Sequence, residues 1–193
     1  PVIKARRRSA NFSSSGLGYP KPIQSDYGAS VSAALVSVVP TYRPPEQLLA
    51  LVDTLRTHGP VIVSDDASPC TFDPLLAEAA HKDGVAVIRH STNRGIARGL
   101  NDGLRFAQET HAPWLLTVDQ DSVVSTHYVS ELLRTANEVA QSGAKLGVVG
   151  AETVLDKSGP MTYPSKQVAS LTVTEEVIQS GSLWSVDAVS SSL

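Results

Sequence analysis

Two aspartates that are two residues apart, Asp119 and Asp121, come directly after an apolar segment, WLLTV (114–118). That segment has the composition of a buried strand, so both carboxylates would leave a sheet at the same point. Side chains at i and i+2 project to the same side, and neighbouring carboxylates repel each other unless a cation or a proton lies between them. Mg²⁺ and Mn²⁺ prefer oxygen ligands. The spacing therefore predicts a divalent-metal site, and an Asp that caps the next helix is the structural alternative.

Polar segments follow three other apolar segments in the same way. They are PTYR (40–43), DDASP (65–69) and STNRG (91–95), and DQDS (119–122) is the fourth. Ligands of open parallel sheets bind outside the carboxyl ends of the strands. We therefore predict that these four segments meet at one edge of a sheet and form one ligand site.

Strand-like and helix-like segments alternate from Ala33 to residue 151. The predicted strands are 33–39, 60–64, 85–90, 113–118 and 145–151, and the predicted helices are 44–59, 73–83, 95–109 and 126–141. Such alternation is typical of an α/β fold with a mostly parallel, twisted sheet and helices on both faces. After residue 151, scattered Thr, Ser and Val predict irregular or antiparallel strands.

Composition limits the function classes. The 193 residues, 41% of them hydrophobic, suffice for one sizeable core. A net charge of -3, from 16 basic and 19 acidic residues, gives no attraction to nucleic acid, so we predict no nucleic-acid partner. The single cysteine, Cys70, allows neither an internal disulfide nor a cysteine zinc cluster, and no apolar stretch has the length of a membrane span. These features predict a cytoplasmic protein.

The two ends differ from the middle. Residues 1–33 are rich in Ser, Gly, Pro and Arg without apolar periodicity, which predicts a flexible N-terminal extension before one domain at 34–193. The run KARRRS (4–9) could contact an anionic surface, which would place the protein at the inner face of the plasma membrane; a solvated tail is the alternative. The last residues, VDAVSSSL, show no turn or cap, so we predict that the C-terminal part of the domain is missing.

Five segments together resemble glycosyltransferase family 2 in their order and approximate spacing. They are VSVVPTYRP, VIVSDDAS, NRGIARGLNDGL, LLTVDQDS and QSGSL, and they extend from about Ala34 to Leu183. The DQDS form is most similar to the bacterial rhamnosyltransferase branch. The resemblance implies the GT-A fold, whose Rossmann-like half binds a nucleotide.

The resemblance also implies roles for individual residues. The nucleotide-sugar site would comprise Pro40, Thr41, Tyr42, Asp65, Asn93, Gly95, Arg98, Asn101, Asp119 and Gln120. Asp65 matches the acid that hydrogen-bonds the base, and Asp66 stands where the family often has Asn. Asp121 and Asp119 match the DXD motif that holds Mg²⁺ or Mn²⁺, and Ser180, Gly181 and Ser182 match a segment below the sugar and the acceptor.

The implied reaction is metal-dependent and inverts the anomeric carbon. A dTDP- or UDP-sugar would give rhamnose or another hexose to a hydroxyl of a glycan or lipid-linked acceptor in cell-surface polysaccharide synthesis. A general base is expected downstream of QSGSL, beyond Leu193, and Asp187 is the acid that the printed chain offers there.

Three other interpretations remain open at this point. A sugar-nucleotide-binding fragment without turnover would show the same motifs. A haloacid-dehalogenase-like phosphatase also has a DxD after a strand, but its further acidic pair lies downstream, whereas Asp65 and Asp66 lie upstream here. A phosphorylation receiver requires a Lys after the fifth strand, where this chain has GAETV.

Overall fold

The computed structural model describes residues 34–191 except 142, 152, 157–158, 163–164, 169–170 and 175. The strands are β1 Leu35–Thr41, β2 Val61–Asp65, β3 Val85–Arg89, β4 Trp114–Thr117, β5 Val148–Val149, β6 Thr153–Asp156, β7 Gly159–Thr162, β8 Ser165–Val168, β9 Leu171–Thr174 and β10 Ser182–Ser185. The helices are α1 Leu48–Leu55, α2 Asp73–Ala80, α3 Ile96–Glu109, α4 Thr126–Gln141 and α5 Val186–Ser190, and a 3-10 turn covers Cys70–Phe72. The predicted N-terminal extension lies outside the described residues.

A six-stranded sheet in the order β3-β2-β1-β4-β10-β5 forms the centre of the molecule. Strands β3, β2, β1 and β4 are parallel to one another, and β10 is antiparallel to both of its neighbours. The mostly parallel α/β sheet predicted from the sequence is therefore confirmed.

Helices cover both faces of the sheet because successive residues of β1 point in opposite directions. Leu35 and Val39 pack with residues of α1, α2 and α4, whereas Val36 and Val38 pack with residues of α3 and α5. All four β1 side chains are 0% exposed. The apolar strand segments are continuous, as expected for strands that are buried on both faces.

The predicted fifth strand differs from the observed one. Instead of residues 145–151, only Val148–Val149 is a strand, and it pairs with β10 rather than with β4. β10 lies between them because Leu183, which is 0% exposed, fills the core beside Leu116. The antiparallel strands predicted after residue 151 are confirmed, since β6 pairs with β7 and β8 pairs with β9.

Of the last residues VDAVSSSL, Val186–Ser190 form α5. The Ser185 hydroxyl, just before them, caps the start of this helix by accepting a hydrogen bond from the Ala188 amide at 3.3 Å. A serine just before the first helical residue is a common N-cap.

Helix α3 approaches β1 unusually closely, and two glycines make this possible. A Cβ on Gly99 would lie 2.9 Å from Pro40 Cβ, and a Cβ on Gly103 would lie 2.4 Å from Val38 Cβ. These glycines are four residues apart and therefore lie on one face of the helix. Their absent side chains bring the first turns of α3 up to the end of β1.

Across the part of the chain that the structure describes, every helix is too short or too polar to cross a membrane.

Candidate functional site: a cleft at the carboxyl ends of the strands

A cleft of about 340 Å³ opens where β1, β2, β3 and β4 end. It is lined by Pro40, Thr41, Tyr42, Ser64, Asp66, Asn93, Gly95, Ile96, Gly99, Asp119, Gln120 and Asp121. The four polar segments predicted to share one edge of the sheet are thus brought together.

Eight of the residues predicted from the sequence line this cleft: Pro40, Thr41, Tyr42, Asn93, Gly95, Asp119, Gln120 and Asp121. Six others do not: Asp65, Arg98, Asn101, Ser180, Gly181 and Ser182. Arg98 directs its guanidinium at the Thr92 carbonyl, 3.4 Å away, and Asn101 lies on the exposed side of α3.

Asp119 and Asp121 follow the end of β4, as the opening pattern predicted. Burial and the neighbouring Asp121 carboxylate raise the pKa of Asp119 above its usual value. The alternative that one of these aspartates caps the next helix is not favoured. The Ser125 hydroxyl is the group that accepts the hydrogen bond from the Tyr128 amide at the start of α4. The two carboxylates therefore face the cleft as a pair of like charges.

This pair fits a divalent ion that a diphosphate also binds. Within the described residues, no three His, Cys, Asp or Glu side chains are arranged to hold a metal ion by themselves. Mg²⁺ commonly takes one or two carboxylates and completes its shell with water and phosphate oxygens. A cation would also relieve the repulsion that raises the pKa of Asp119. Asp119 and Asp121 could thus hold Mg²⁺ or Mn²⁺ together with a phosphorylated ligand.

The turn at residues 180–182 packs under the DQDS segment. The Ser180 hydroxyl accepts a hydrogen bond from the Asp119 amide at 2.8 Å and lies 3.0 Å from the Ser122 hydroxyl. Gly181 has φ +77 and donates its amide to the Thr117 carbonyl at 2.7 Å, while its own carbonyl accepts from the Tyr128 hydroxyl at 2.6 Å. This turn therefore fixes the backbone that presents the two aspartates.

Asp65 is fully buried and lies beside the cleft rather than in its wall. Its carboxylate accepts from the Ser68 amide at 3.1 Å, from the Ser68 hydroxyl, and from Arg89 Nε at 3.2 Å. Ser68 in turn accepts from the Arg43 amide at 2.7 Å. In the structure Asp65 thus orders the loops after β2 and β1.

Asp66 lies in the cleft wall, where the family resemblance had placed Asp65. Its carboxylate accepts from the Arg94 amide at 2.9 Å and from the Gly95 amide at 2.6 Å. Gly95 has φ +85, a left-handed conformation that suits glycine, and it immediately precedes α3. Asp66 therefore holds the β3–α3 loop, including Asn93, against the cleft.

A buried polar cluster supports the cleft floor. Asp102 Oδ2 lies 2.7 Å from the Ser64 hydroxyl and 2.7 Å from His90 Nε2. Ser64 and Asp102 are 1% and 5% exposed, and the His90 side chain is 8% exposed. Ser64 and Asp102 both contact the Nε2 atom of His90. The cluster is therefore not the relay of a serine hydrolase, in which Ser and Asp contact different nitrogens of the His ring. The cluster joins β2, the end of β3 and α3.

Asp187 does not reach the cleft. It is exposed in the first turn of α5, which follows β10. Because β10 runs antiparallel to β4, it begins beside Thr117 at the cleft and ends beside Trp114 at the opposite edge. Three residue steps separate these positions, or roughly 10 Å along the strand.

Sequence reasoning missed four lining residues: Ser64, Asp66, Ile96 and Gly99. For Asp66 the sequence contained a signal. Successive side chains of a strand point to opposite sides, so only one of the two adjacent aspartates at the end of β2 can face the cleft. For Gly99 the G-x-x-x-G spacing with Gly103 was the available signal.

The mostly parallel sheet with helices on both faces has the architecture of a GT-A type domain. The sequence profile of glycosyl transferase family 2 matches residues 37–177. The chain belongs to this family.

Individual relatives agree with this membership. The dTDP-rhamnosyl transferase RfbF of Shigella flexneri is 29% identical over 104 residues, which are 53% of this chain and 34% of that protein. The chain thus spans about a third of the length of that relative. Its fold is similar to that of S. aureus TarS 1-349 in complex with UDP, with a TM-score of 0.59 at 16% identity over 81% of this chain and 48% of TarS. TarS 1-349 in complex with UDP-GlcNAc gives 0.51 at 15% identity, over 81% and 46%.

Proposed function

We propose that this chain forms the donor-binding part of an inverting glycosyltransferase. It binds a dTDP- or UDP-sugar through Mg²⁺ or Mn²⁺ held by Asp121 and Asp119. The sugar, rhamnose or another hexose, is transferred to a hydroxyl of a glycan or lipid-linked acceptor in cell-surface polysaccharide synthesis. The family match argues against the phosphatase and receiver interpretations.

The observation that supports this proposal best is the pairing of two carboxylates with an unsatisfied hydroxyl in one cleft. Thr41 is 3% exposed, lines the cleft, and has no hydrogen-bond partner for its Oγ1 among the described residues. Buried polar groups are nearly always satisfied, so an orphan in a cleft wall points to a ligand that completes it. The base end of a nucleotide would meet Thr41, while its diphosphate would share the divalent ion held by Asp119 and Asp121.

The first turn of α3 adds a further element that suits a diphosphate. Ile96 begins this helix and lines the cleft together with Gly99. Free amides at a helix N-terminus favour negatively charged groups. We assign Asn93 and Gly95 to this part of the donor site, with Pro40 and Tyr42 on the base side. Asp65 and Arg98 would act by holding the neighbouring loops, and Asn101 lies outside the cleft.

A bound divalent ion would stabilise the charge on the departing nucleoside diphosphate. The residues of this chain hold the donor and fix the two carboxylates. We assign Ser180, Gly181 and Ser182 to the acceptor side, next to the metal-binding segment. A cytoplasmic location and a contact with the membrane surface belong to the same proposal, and they rest on the single cysteine and on the basic run KARRRS (4–9).

Ligand binding tests the proposal directly. UDP or dTDP should raise the melting temperature of the 193-residue chain, and Mn²⁺ or Mg²⁺ should raise it further. A ligand at about 100 times its Kd stabilises the folded state by about 2.7 kcal/mol. Asp121→Ala should remove most of the metal-dependent part, whereas Asp83→Ala, an exposed change in the turn before β3, should keep it. A response to beryllium fluoride without any response to nucleotides would favour the phosphatase or receiver chemistry.

A donor-binding chain without turnover is the second candidate. The position of Asp187 at the opposite edge of the sheet favours it, because that acid does not reach an acceptor in the cleft. Transfer assays with this chain and with one extended past Leu193 separate the two. Turnover by both chains would argue against this second candidate.

A further inference from the structure

Gln120, the middle residue of the DQD segment, directs its side-chain amide to the backbone of Tyr42. Its amide oxygen accepts from the Tyr42 amide at 3.0 Å, and its amide nitrogen donates to the Tyr42 carbonyl at 3.1 Å. These two bonds cross 78 residues of sequence and join the end of β4 to the end of β1. The side chain thus pairs with one residue as a neighbouring strand would.

Tyr42 belongs to a corner that is held from a second side as well. Arg43, the next residue, has φ 52 and donates its amide to the Ser68 hydroxyl at 2.7 Å. Its guanidinium lies 5.1 Å from the centre of the Tyr42 ring. Tyr42 itself lines the cleft and is 40% exposed. The backbone of Tyr42 is therefore fixed, while part of its ring is open to a ligand.

We propose that Gln120 is a positioning residue for the nucleobase wall rather than a contact of the metal or the diphosphate. This inference rests on the proposed nucleotide-sugar function. By sequence, Gln120 belongs to the metal motif; by its hydrogen bonds, it holds the aromatic residue that follows the neighbouring strand β1. The DQD segment then has two roles: Asp119 and Asp121 would hold the ion, and Gln120 would hold Tyr42.

The chemistry of the amide explains why a glutamine stands at this position. The backbone of Tyr42 offers one donor, its N–H group, and one acceptor, its carbonyl oxygen. The primary amide of Gln120 provides the matching acceptor and donor. A glutamate could accept from the Tyr42 amide but could not donate to its carbonyl, and a methionine could do neither. Because these bonds lie at an exposed site, water can replace them in a variant, so the fold should tolerate their loss. Binding would then require the ordering of Tyr42, which costs affinity.

Gln120→Met tests this role, with Gln108→Met as the matched control. Gln108 also forms a long-range side-chain bond, to the Ser190 hydroxyl at 2.7 Å, but it joins α3 to α5 and does not line the cleft. Two affinities are measured for each protein: that of uridine or thymidine without metal, by NMR titration, and the gain in UDP affinity on adding Mn²⁺.

We expect Gln120→Met to weaken nucleoside binding by about fivefold or more, with an unchanged gain from Mn²⁺. Gln108→Met should alter neither quantity. Gln120→Glu, which keeps one of the two bonds, should fall between wild type and Gln120→Met for the uncharged nucleosides. It also provides the test if Gln120→Met does not fold, as its melting curve would reveal.

Two results would overturn the positioning role alone. In one, Gln120→Met binds nucleosides as the wild type does; in the other, it loses the gain from Mn²⁺ and keeps nucleoside affinity, which would place Gln120 on the metal side. A wild-type chain that binds neither UDP with Mn²⁺ nor a nucleoside would instead overturn the proposed function, and with it this inference.

Discussion

Single residues of the cleft divide into those that face a ligand and those that hold other residues. Asp119 and Asp121 face the cleft as like charges, whereas the carboxylates of Asp65 and Asp66 accept hydrogen bonds from the loops around it. The sequence could identify all four acids but not this division. Which of two adjacent aspartates points inward depends on a local contact with Ser68 and on contacts with Arg89 and the Gly95 amide, which come from other parts of the chain.

Replacing Asp119 by Asn should stabilise the protein in the absence of metal. Its pKa is raised in the folded state, so the folded protein binds more protons than the unfolded one between the two pKa values. Stability therefore increases as pH falls through that window, and the ionised Asp119 costs stability above it. Melting curves in EDTA should show a higher melting temperature for Asp119→Asn at pH 7, and a smaller difference in acid.

The exposed Asp83→Asn is the control, for which no such gain is expected. An Asp119→Asn chain that melts below the wild type at pH 7 would contradict the repulsion between Asp119 and Asp121.

Removing Asp102 should destabilise the fold strongly. Asp102→Ala leaves His90 and the Ser64 hydroxyl without their shared buried partner. A buried polar group that loses its hydrogen-bond partner typically costs about 1–3 kcal/mol, and this variant leaves two such groups. Urea unfolding measures this cost, and Asp83→Ala should stay within about 0.5 kcal/mol of the wild type. A loss below about 1 kcal/mol would show that the cluster is not a structural support.

Some elements of the repeating βα pattern were predicted almost to the residue, and others were not. Helix α4 covers Thr126–Gln141 as predicted, and α3 begins at Ile96, one residue after the predicted start, whereas α1, predicted at 44–59, covers only Leu48–Leu55. The place of β10 in the main sheet was not predicted, because SLWS is a short segment whose partner, Thr117, lies 65 residues earlier. Local periodicity reports burial of a segment, but it contains no information about which distant strand it joins.

Contact between α3 and β1 makes Gly103 sensitive to substitution. The added methyl of Gly103→Ala would lie 2.4 Å from Val38 Cβ, so the helix or the strand must shift. Overpacking of a core typically costs about 1–3 kcal/mol, and this distance predicts the upper end.

Gly147→Ala is the matched control, because a Cβ there would meet nothing within 4 Å. Chemical denaturation of both variants gives the comparison. Equal stability of the two would contradict the close approach of α3 to β1.

On the scale of the whole molecule, the sheet needs its last described strand. Leu183 of β10 is 0% exposed and Val186 of α5 is 8% exposed, and they complete the apolar clusters on the two faces. The residues that line the cleft, by contrast, lie between Pro40 and Asp121. The lining of the cleft and the last two elements of the core therefore come from separate stretches of sequence.

Truncation separates these contributions. A chain that begins at residue 34 should melt at the temperature of the full chain and bind UDP with the same affinity, as the predicted domain boundary implies. A chain of residues 34–178, which lacks β10 and α5, should show no cooperative melting transition, because β4 becomes an uncovered edge. Circular dichroism during heating measures both. Cooperative melting of residues 34–178 would show that β1 to β4 form a sufficient core.

The antiparallel direction of β10 also affects how specificity can change among relatives. The chain passes the cleft at Ser182 and leaves the sheet at Ser185, on the opposite edge. A segment that follows α5 and returns to the cleft would have to cross a face of the molecule, and it would meet the donor site as a separate wall. Exchange of such a segment between homologues could therefore alter the acceptor while the Asp119–Asp121 pair and the Tyr42 corner stay intact. Acceptor choice and donor choice would then evolve as independent modules.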